Sequence, residues 1–301
     1  MRLDVRRLCT GLLLGAVLCV GPVKAAEPLE LLVLGSGGPG AGGRAGAGYV
    51  LLLDGTPRIL LDAGPGTFVR LGEAHLDLGQ LDIVLLTHLH VDHVAELPGI
   101  VKARAVASRA DIRFKVFGPS GDAPFPSTRR YIDLMFGRDG AFAYLQDFAG
   151  SVGFDTTDLQ GLTEMTTLLS QDGLVIRAIA GHHRDAPAVI YRVDYKGHSI
   201  TFSGDIDANG HEALTKIAEG SSLLVFNDPV LDPPDSPAAL FLLHTAPADI
   251  GRIAAAARVS GLLLSHLSRD VDEAHDAVSR SIGRSFAGPV VFAADGLRVR
   301  P

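Results

Sequence analysis

Short apolar runs recur along the chain, and many of them contain β-branched residues or end in glycine, aspartate or histidine. Runs of this kind are typical of buried strands. Ten strands are therefore predicted, at residues 31–35, 49–53, 59–62, 83–87, 114–118, 174–179, 188–195, 199–203, 223–227 and 261–266.

Segments between several of these runs have the pattern of helices, at residues 65–73, 98–108, 127–136, 213–220, 246–257 and 271–286. The sequence contains no internal repeat and no long linker, which favours a single α/β domain over residues 27–301. Residues 119–173 are the least regular part. Their pattern fits a substrate-facing insertion and a packed surface segment equally well.

The first 26 residues have the features of an export signal. Arg2, Arg6 and Arg7 form a basic region, residues 8–20 are apolar, and small residues at 23–26 offer a cleavage point. The apolar run is shorter than the roughly 20 residues that a membrane span needs. We therefore predict that residues 1–26 are a signal peptide, that the mature chain is periplasmic or secreted, and that it keeps no membrane anchor.

Composition narrows the chemistry of the mature chain. With 47% hydrophobic and 20% charged residues, the protein can bury a sizeable core. Both cysteines, Cys9 and Cys19, lie inside the predicted signal, so the mature chain has no disulfide and no thiolate ligand. Removal of the signal leaves 23 basic and 33 acidic residues, a net charge of −10. This sign disfavours tight binding of a polyanion through its phosphates.

Four side chains that bind metals are concentrated directly after the apolar run at 81–86: His88, His90, Asp92 and His93. Imidazole nitrogens and carboxylates suit Zn²⁺, Fe and Mn²⁺, and the close spacing lets one loop serve two adjacent ions. Burial of these side chains without partners would be costly, so a structural role alone does not explain them. The segment therefore predicts a metal site.

Further residues of the same type follow later strands. Asp205 comes after the run at 199–203, His266 ends the run at 261–266, and His182 and His183 follow the run at 174–179. Each of these is a weak signal alone. The repeated order of an apolar strand and then a ligand-type residue strengthens the prediction of one shared site.

With these motifs the chain resembles the metallo-β-lactamase-fold hydrolases, and among them the branch that contains ribonuclease Z, phosphodiesterases and arylsulfatases. The resemblance covers about residues 30–300 and is strongest at 87–93, with support at 34–39, 61–66, 203–205 and 264–268. It implies a four-layer αββα sandwich, in which two mixed sheets are covered by helices and the metals lie at one edge.

The resemblance also implies a dinuclear site. One metal would be held by His88, His90 and His183, and the other by Asp92, His93 and His266, with Asp205 between them. His183 is preferred to His182 because the family places its histidine shortly before a Pro-Ala pair and an aromatic-Arg pair, here at 187–188 and 191–192. The sequence alone leaves the choice between these two histidines open.

His244 resembles the family's additional histidine near the scissile bond, where it would stabilise the oxyanion or protonate the leaving group. The alternative is an exposed histidine at a helix-capping turn. We predict His244 and Asp92 as the catalytic residues. In ribonuclease Z a glutamate supports this histidine, whereas the corresponding region here reads Asn227-Asp228, and whether Asp228 substitutes for the glutamate is open.

Residues 35–40 match the G-x-G-x-x-G pattern of dinucleotide sites. The glycine-rich residues 41–46 that follow are poor helix formers, so the helix N-terminus that would bind a pyrophosphate is not expected. We instead predict a flexible turn near the metal site. Asp62 is expected either to orient a metal ligand or to cap a strand end.

The resemblance implies two divalent cations, Zn²⁺ as the first expectation and Mn²⁺ or Fe as alternatives, with a water between them whose pKa is lowered toward neutrality. The predicted function is hydrolysis of a small-molecule phosphodiester or sulfate ester by the bridging hydroxide. A lactonase or other carbonyl-ester hydrolase is the alternative, and a non-catalytic metal-binding protein is a more distant one. The acidic charge and the lack of a basic glycine-rich arm argue against transfer RNA as substrate. Formation of a homo-oligomer is left open.

Overall fold

The structure is a computed structural model that describes residues 27–40, 42–184 and 186–301. The predicted signal peptide at 1–26 lies outside the described residues, so its removal and the export of the chain stay predictions. Within the described part, no helix is both long enough and apolar enough to cross a membrane.

In the described residues, fourteen strands form two sheets of seven strands. The strands are β1 (Leu29–Gly35), β2 (Gly48–Leu53), β3 (Thr56–Ala63), β4 (Ile83–Leu85), β5 (Ile112–Pro119), β6 (Val152–Leu159), β7 (Thr166–Gln171), β8 (Leu174–Ala180), β9 (Val189–Tyr195), β10 (His198–Phe202), β11 (Leu223–Asn227), β12 (Leu262–Ser265), β13 (Val290–Phe292) and β14 (Arg298–Val299). The first sheet has the order β14-β1-β2-β3-β4-β5-β6, and the second has the order β13-β12-β11-β10-β9-β8-β7.

Both sheets are mixed. Strands β3 to β6 are parallel to one another, and so are β10 to β13, whereas the remaining neighbours in each sheet pair antiparallel. The carboxyl ends of parallel strands lie at the same edge of a sheet, which is where side chains that follow several strands can meet.

Eight helices occur in the described residues: α1 (Thr67–Glu73), α2 (Val91–Val94), α3 (Leu97–Ser108), α4 (Thr128–Phe136), α5 (His211–Ile217), α6 (Pro247–Ala256), α7 (Arg269–Asp272) and α8 (His275–Ile282). Short 3-10 turns lie at Leu78–Gln80, Ala143–Gln146, Ala208–Gly210 and Ala238–Leu242.

The strands bury both faces, which explains their uninterrupted apolar runs. In β1, Leu31 and Val33 point into the core between the sheets, while Leu32 and Leu34 point to the opposite face, toward the core that includes residues of α3 and α4. The second sheet packs against α5, α6 and α8 through a third apolar core. These layers confirm the predicted four-layer αββα sandwich.

All ten predicted strands are present, with ends within three residues of the predicted ones. The stretch at 119–173 is more regular than the sequence indicated, since it contains α4, β6 and β7. Strands β6 and β7 lie at the outer edges of the two sheets and are partly exposed, so they lack the apolar runs of the inner strands.

The single helix predicted at 271–286 is wrong. The chain forms α7 and α8 and leaves helical geometry between them at Ala274, where φ is −125° and ψ is 23°. The end of α7 is fixed to the loop after β1, because Asp272 accepts two hydrogen bonds of 2.6 and 2.7 Å from the Arg44 guanidinium. The pattern of hydrophobic residues along the chain gives no sign of this tertiary ion pair.

Candidate metal centre

The predicted ligands come from loops at the carboxyl ends of strands in both sheets. His88, His90, Asp92 and His93 follow β4 in the first sheet. The loops after β8, β10 and β12 of the second sheet contribute, in that order, His183, Asp205 and His266. The site therefore lies at one edge of the sandwich, where the carboxyl ends of strands from both sheets come together.

The first group of ligand atoms comprises His88, His90 and His183, whose candidate ligand atoms all lie within 4.8 Å of one another. The Nδ1 atom of His90 is 3.1 Å from Nε2 of His88 and 3.3 Å from Nε2 of His183. His88 and His183 are buried, while His90 is only partly buried and borders solvent. The three residues form one of the two groups that the resemblance implied.

The second group comprises Asp92, His93 and His266. Nε2 of His266 lies 3.2 Å from Oδ2 of Asp92, and Nε2 of His93 lies 3.7 Å from the same oxygen. The Nε2 atom of His93 is buried and has no hydrogen-bond partner among the residues that the structure describes. A buried polar nitrogen without a partner is costly, and a cation bound there would remove the cost.

Asp205 lies between the two groups and is 2% exposed. Its Oδ2 atom is within 4 Å of five imidazole nitrogens: Nε2 of His88 (3.9 Å), His93 (3.6 Å), His183 (3.8 Å) and His266 (3.5 Å), and Nδ1 of His244 (3.9 Å). Ligands at about 2.1 Å from a tetrahedral Zn²⁺ are about 3.4 Å apart, close to these spacings. The residues present therefore fit two divalent cations that share the Asp205 carboxylate.

Asn227 fixes the orientation of this carboxylate. Its side-chain amide donates a 2.7 Å hydrogen bond to Oδ1 of Asp205, which leaves Oδ2 to face the histidines. Asn227 ends β11, next to the parallel strand β10 that leads to Asp205. Sequence reasoning missed this role, although the position of Asn227 at a strand end was the same signal that identified the ligands.

Asp62 fixes the orientation of the His93 ring through Nδ1, while Nε2 of the ring faces Asp205. Its carboxylate is 2.8 Å from Nδ1 of His93 and accepts hydrogen bonds from the backbone and hydroxyl of Thr87, at 2.8 and 2.7 Å. A carboxylate bound to the far nitrogen of a ligand histidine fixes the ring and its tautomer. Of the two roles left open by the sequence, orientation of a ligand is the one that this geometry supports.

Burial and neighbouring charges shift the pKa values of the candidate ligands in different directions. Burial lowers the pKa of His88 and of His90, so both rings are neutral at neutral pH. Burial also opposes charge on His93 and Asp205, but neighbouring charges outweigh it: Asp205 and Asp62 act on His93, and His266 and His93 act on Asp205. As a result, the pKa of His93 is raised well above its usual value and that of Asp205 is lowered well below it.

His182 and His183 have different surroundings. The His182 ring is 45% exposed and pairs with Asp207 at 2.7 Å, outside both ligand groups. His183 is 2% exposed, and its Nδ1 atom is 2.7 Å from the backbone carbonyl of Leu243, so that Nε2 points at the cluster. The geometry therefore favours His183 as the ligand.

His244 lies beside the ligands rather than on the surface. It is 8% exposed, and it joins His183 and Asp205 in a further group of candidate ligands. Burial lowers the pKa of His244 to about 4, so its imidazole is neutral at neutral pH. Asp228 is fully buried, and neither of its carboxylate oxygens has a hydrogen-bond partner among the described residues. Asp228 therefore does not support His244 through a hydrogen bond.

The glycine-rich loop after β1 packs against the site. A Cβ atom on Gly38 would lie 2.9 Å from the backbone oxygen and 3.3 Å from Nδ1 of His266. No helix follows in the described residues 42–47, in agreement with the rejection of a dinucleotide site. The loop packs closely against the ligand His266, which explains why it has so few large side chains.

Two cavities flank the metal centre. One has a volume of about 530 Å³, borders Asp92 and is lined by the glycine-rich loop with Arg44 and Arg70. The other has a volume of about 380 Å³ and borders His244. Pro39 and Gly40 line both cavities, so the glycine-rich loop separates them.

Residues 42–249 match the sequence profile of the metallo-beta-lactamase superfamily. The chain belongs to this superfamily. Ribonuclease Z of Mycobacterium sp. (strain KMS) is 29% identical over 201 residues, which cover 65% of this chain and 67% of the mycobacterial protein. The relationship confirms the predicted superfamily and its ribonuclease Z branch, and it identifies the chain as a metal-dependent hydrolase.

Solved structures of the metallo-β-lactamase fold show the same architecture. The fold protein YhfI from Bacillus subtilis has a TM-score of 0.69 at 20% identity and covers 91% of this chain and 99% of its own. The short form of human tRNase Z has a TM-score of 0.68 at 21% identity and covers 90% of this chain and 99% of its own. At these identities the likeness concerns the fold.

Replacement of His183 by alanine is expected to remove one ligand of the first metal group, because its Nε2 atom faces His90 and Asp205. Metal content, measured by mass spectrometry after gel filtration, should fall from about two ions per chain to about one. His182→Ala is the matched control and should bind as much metal as the unaltered protein. Equal loss in both variants would contradict the assignment of His183.

Metal affinity is expected to rise with pH. In the metal-free protein the raised pKa of His93 keeps its ring protonated, and a cation at Nε2 must displace that proton. Below the raised pKa, affinity should fall roughly tenfold for each pH unit, as expected for one proton released. Competition with a chromophoric chelator between pH 6 and pH 8 measures this slope, and an affinity that is constant over this range would contradict it.

Proposed function

We propose that the protein hydrolyses small phosphodiesters at a dinuclear site that holds Zn²⁺ or a related divalent cation. The observation that carries the proposal is the buried Asp205 carboxylate, whose Oδ2 atom is surrounded by the histidines of two ligand groups. Two cations that share a carboxylate suit displacement at phosphorus, because both the attacking and the leaving oxygen need stabilisation. The relationship to ribonuclease Z, a nuclease by its name, supports a phosphodiester over other esters.

When bound, the two cations supply an activated water and positive charge for the reacting phosphoryl group. The protein's own contribution begins with orientation. Asn227 holds Asp205 and Asp62 holds His93, so the ligands are aligned before a substrate arrives. Asp92 is partly exposed and borders the larger cavity, which places it at the entrance of the site.

His244 is positioned to act on the substrate. A neutral imidazole has one N–H donor, and Nδ1 of His244 lies next to the cluster without a hydrogen-bond partner in the described part of the chain. It can therefore donate a hydrogen bond to a phosphoryl oxygen on which negative charge grows during the reaction. The pKa of about 4 disfavours the alternative role, in which the ring would hold a proton for the leaving group at neutral pH.

The cavities favour a small substrate. Volumes of about 380 and 530 Å³ lie within the range of pockets that bind small molecules. The net charge of −7 of the whole chain does not favour a long polyanion. We therefore propose that transfer RNA is not the substrate.

Protein loaded with Zn²⁺, Mn²⁺ or Fe²⁺ is expected to release p-nitrophenolate from bis(p-nitrophenyl) phosphate faster than from p-nitrophenyl sulfate. His244→Ala should lower kcat by about 10²–10³-fold with little change in KM, because it removes a donor used in the transition state. His182→Ala is the control, since this histidine lies outside the cluster.

The same assay includes a homoserine lactone and a precursor transfer RNA. Rapid lactone opening without diester turnover would replace the proposed function by a lactonase. Efficient cleavage of the transfer RNA would overturn the proposed restriction to small substrates. Absence of metal-dependent turnover of every ester would leave a metal-binding protein without catalysis.

We also propose that the enzyme acts outside the cytoplasm, on the basis of the sequence of residues 1–26. Expression of the full chain in a Gram-negative host is expected to give a periplasmic protein that starts at or near Glu27. Mass spectrometry of the periplasmic fraction measures the new N-terminus. Replacement of Arg2, Arg6 and Arg7 by glutamate should keep the chain in the cytoplasm, and a full-length cytoplasmic wild-type protein would contradict export.

A further inference from the structure

The cavity beside His244 differs in character from the rest of the site. Its walls include the side chains of Val230, Leu240 and Leu267, together with Pro39 and Pro229. Val230 and Leu267 are 0% and 3% exposed, so they lie behind the wall and leave its accessible surface to Leu240 and the prolines. Most of the surface that this cavity offers to a ligand is therefore hydrocarbon, whereas the cavity beside Asp92 contains two arginines.

Arg269 lies at the border of this cavity, but the cavity remains apolar. Arg269 is 83% exposed, and its guanidinium donates a 2.9 Å hydrogen bond to Glu273 one helical turn later. The head group is therefore directed to solvent and paired with a carboxylate. The other polar members of the lining are the His244 imidazole and the Ser268 hydroxyl, and neither is a carboxylate or an ammonium group.

The apolar wall is tied directly to the reacting centre. The 3-10 turn that contains Leu240 accepts a 2.9 Å hydrogen bond from the backbone of His244 at the Leu240 carbonyl. Three residues later, the carbonyl of Leu243 binds Nδ1 of the ligand His183 at 2.7 Å. One short segment, residues 240–244, therefore contributes Leu240 and His244 to the cavity and holds the ligand His183.

We infer that this cavity is a subsite for an uncharged apolar substituent of the substrate, a hydrocarbon chain or an aromatic ring joined to the phosphoryl ester. The inference rests on the proposed function, since it places the ester over the metal centre with one substituent beside His244. Burial of apolar surface in a preformed cavity favours binding, while a charged substituent there would lose its hydration without gaining a partner. Leu240, partly exposed on its 3-10 turn, is the specificity-determining residue of this wall.

The test uses phosphonates, which bind metals but are not hydrolysed. Methylphosphonate, propylphosphonate and 2-aminoethylphosphonate are titrated into metal-loaded protein by calorimetry. Each added methylene is worth about fourfold in affinity, so propylphosphonate, with two more methylenes, should bind about 15-fold tighter than methylphosphonate. The aminoethyl compound has nearly the same size but carries a positive charge, and it should show no gain.

Leu240→Gln should remove the gain for propylphosphonate and leave methylphosphonate binding unchanged. Leu242→Gln is the matched control, because Leu242 lies on the same 3-10 turn, is 55% exposed and does not line the cavity. Leu240→Phe, which fills the cavity with an apolar ring, should weaken propylphosphonate and keep methylphosphonate. This second variant shows whether propylphosphonate affinity depends on the space in the cavity and not only on the polarity of residue 240.

The outcomes separate the subsite from the proposed function. Diester turnover with equal affinity for the three phosphonates, or with tighter binding of the aminoethyl compound, would overturn the subsite and keep the phosphodiesterase. Preferential propylphosphonate binding that depends on Leu240, without turnover of any diester, would keep the subsite and overturn the phosphodiesterase. Loss of the gain in both Leu240→Gln and Leu242→Gln would also overturn the subsite.

Discussion

The buried Asp205 carboxylate is the constraint on which the rest of the structure depends. Its Oδ2 atom lies within 4 Å of five imidazole nitrogens that come from four separate loops. Two of these nitrogens, Nε2 of His93 and Nδ1 of His244, are buried without a hydrogen-bond partner among the described residues, which is costly. Divalent cations held by the two ligand groups would remove the cost at His93 and balance the charge of Asp205.

The sandwich holds the residues of this cluster in place. Strands of both sheets end at one edge, so the ligand residues directly follow strands that are fixed by burial. Residues behind the ligands, such as Asp62 and Asn227, fix their orientation through short hydrogen bonds. Asp62 and His266 adopt left-handed backbone conformations with φ of 56°, which are uncommon outside glycine and cluster at functional sites.

The same edge also shapes what can approach the cations. The glycine-rich loop divides the entrance into a larger cavity beside Asp92 and an apolar cavity beside His244. Both cavities are of small-molecule size. The residues that line these two cavities therefore decide what can reach the metal centre.

The sequence by itself determined the layers, the inner strands and the residues available as ligands, because buried strands leave apolar runs and metal ligands leave dense groups of His and Asp. It did not determine the edge strands β6 and β7, whose exposure removes the apolar pattern, or the break between α7 and α8, where Asp272 pairs with Arg44. Only the tertiary structure decided that His183 rather than His182 faces the cluster and that Asn227 rather than Asp228 serves the site. Adjacent residues carry the same local signal, and which side chain points inward depends on strands far away in the chain.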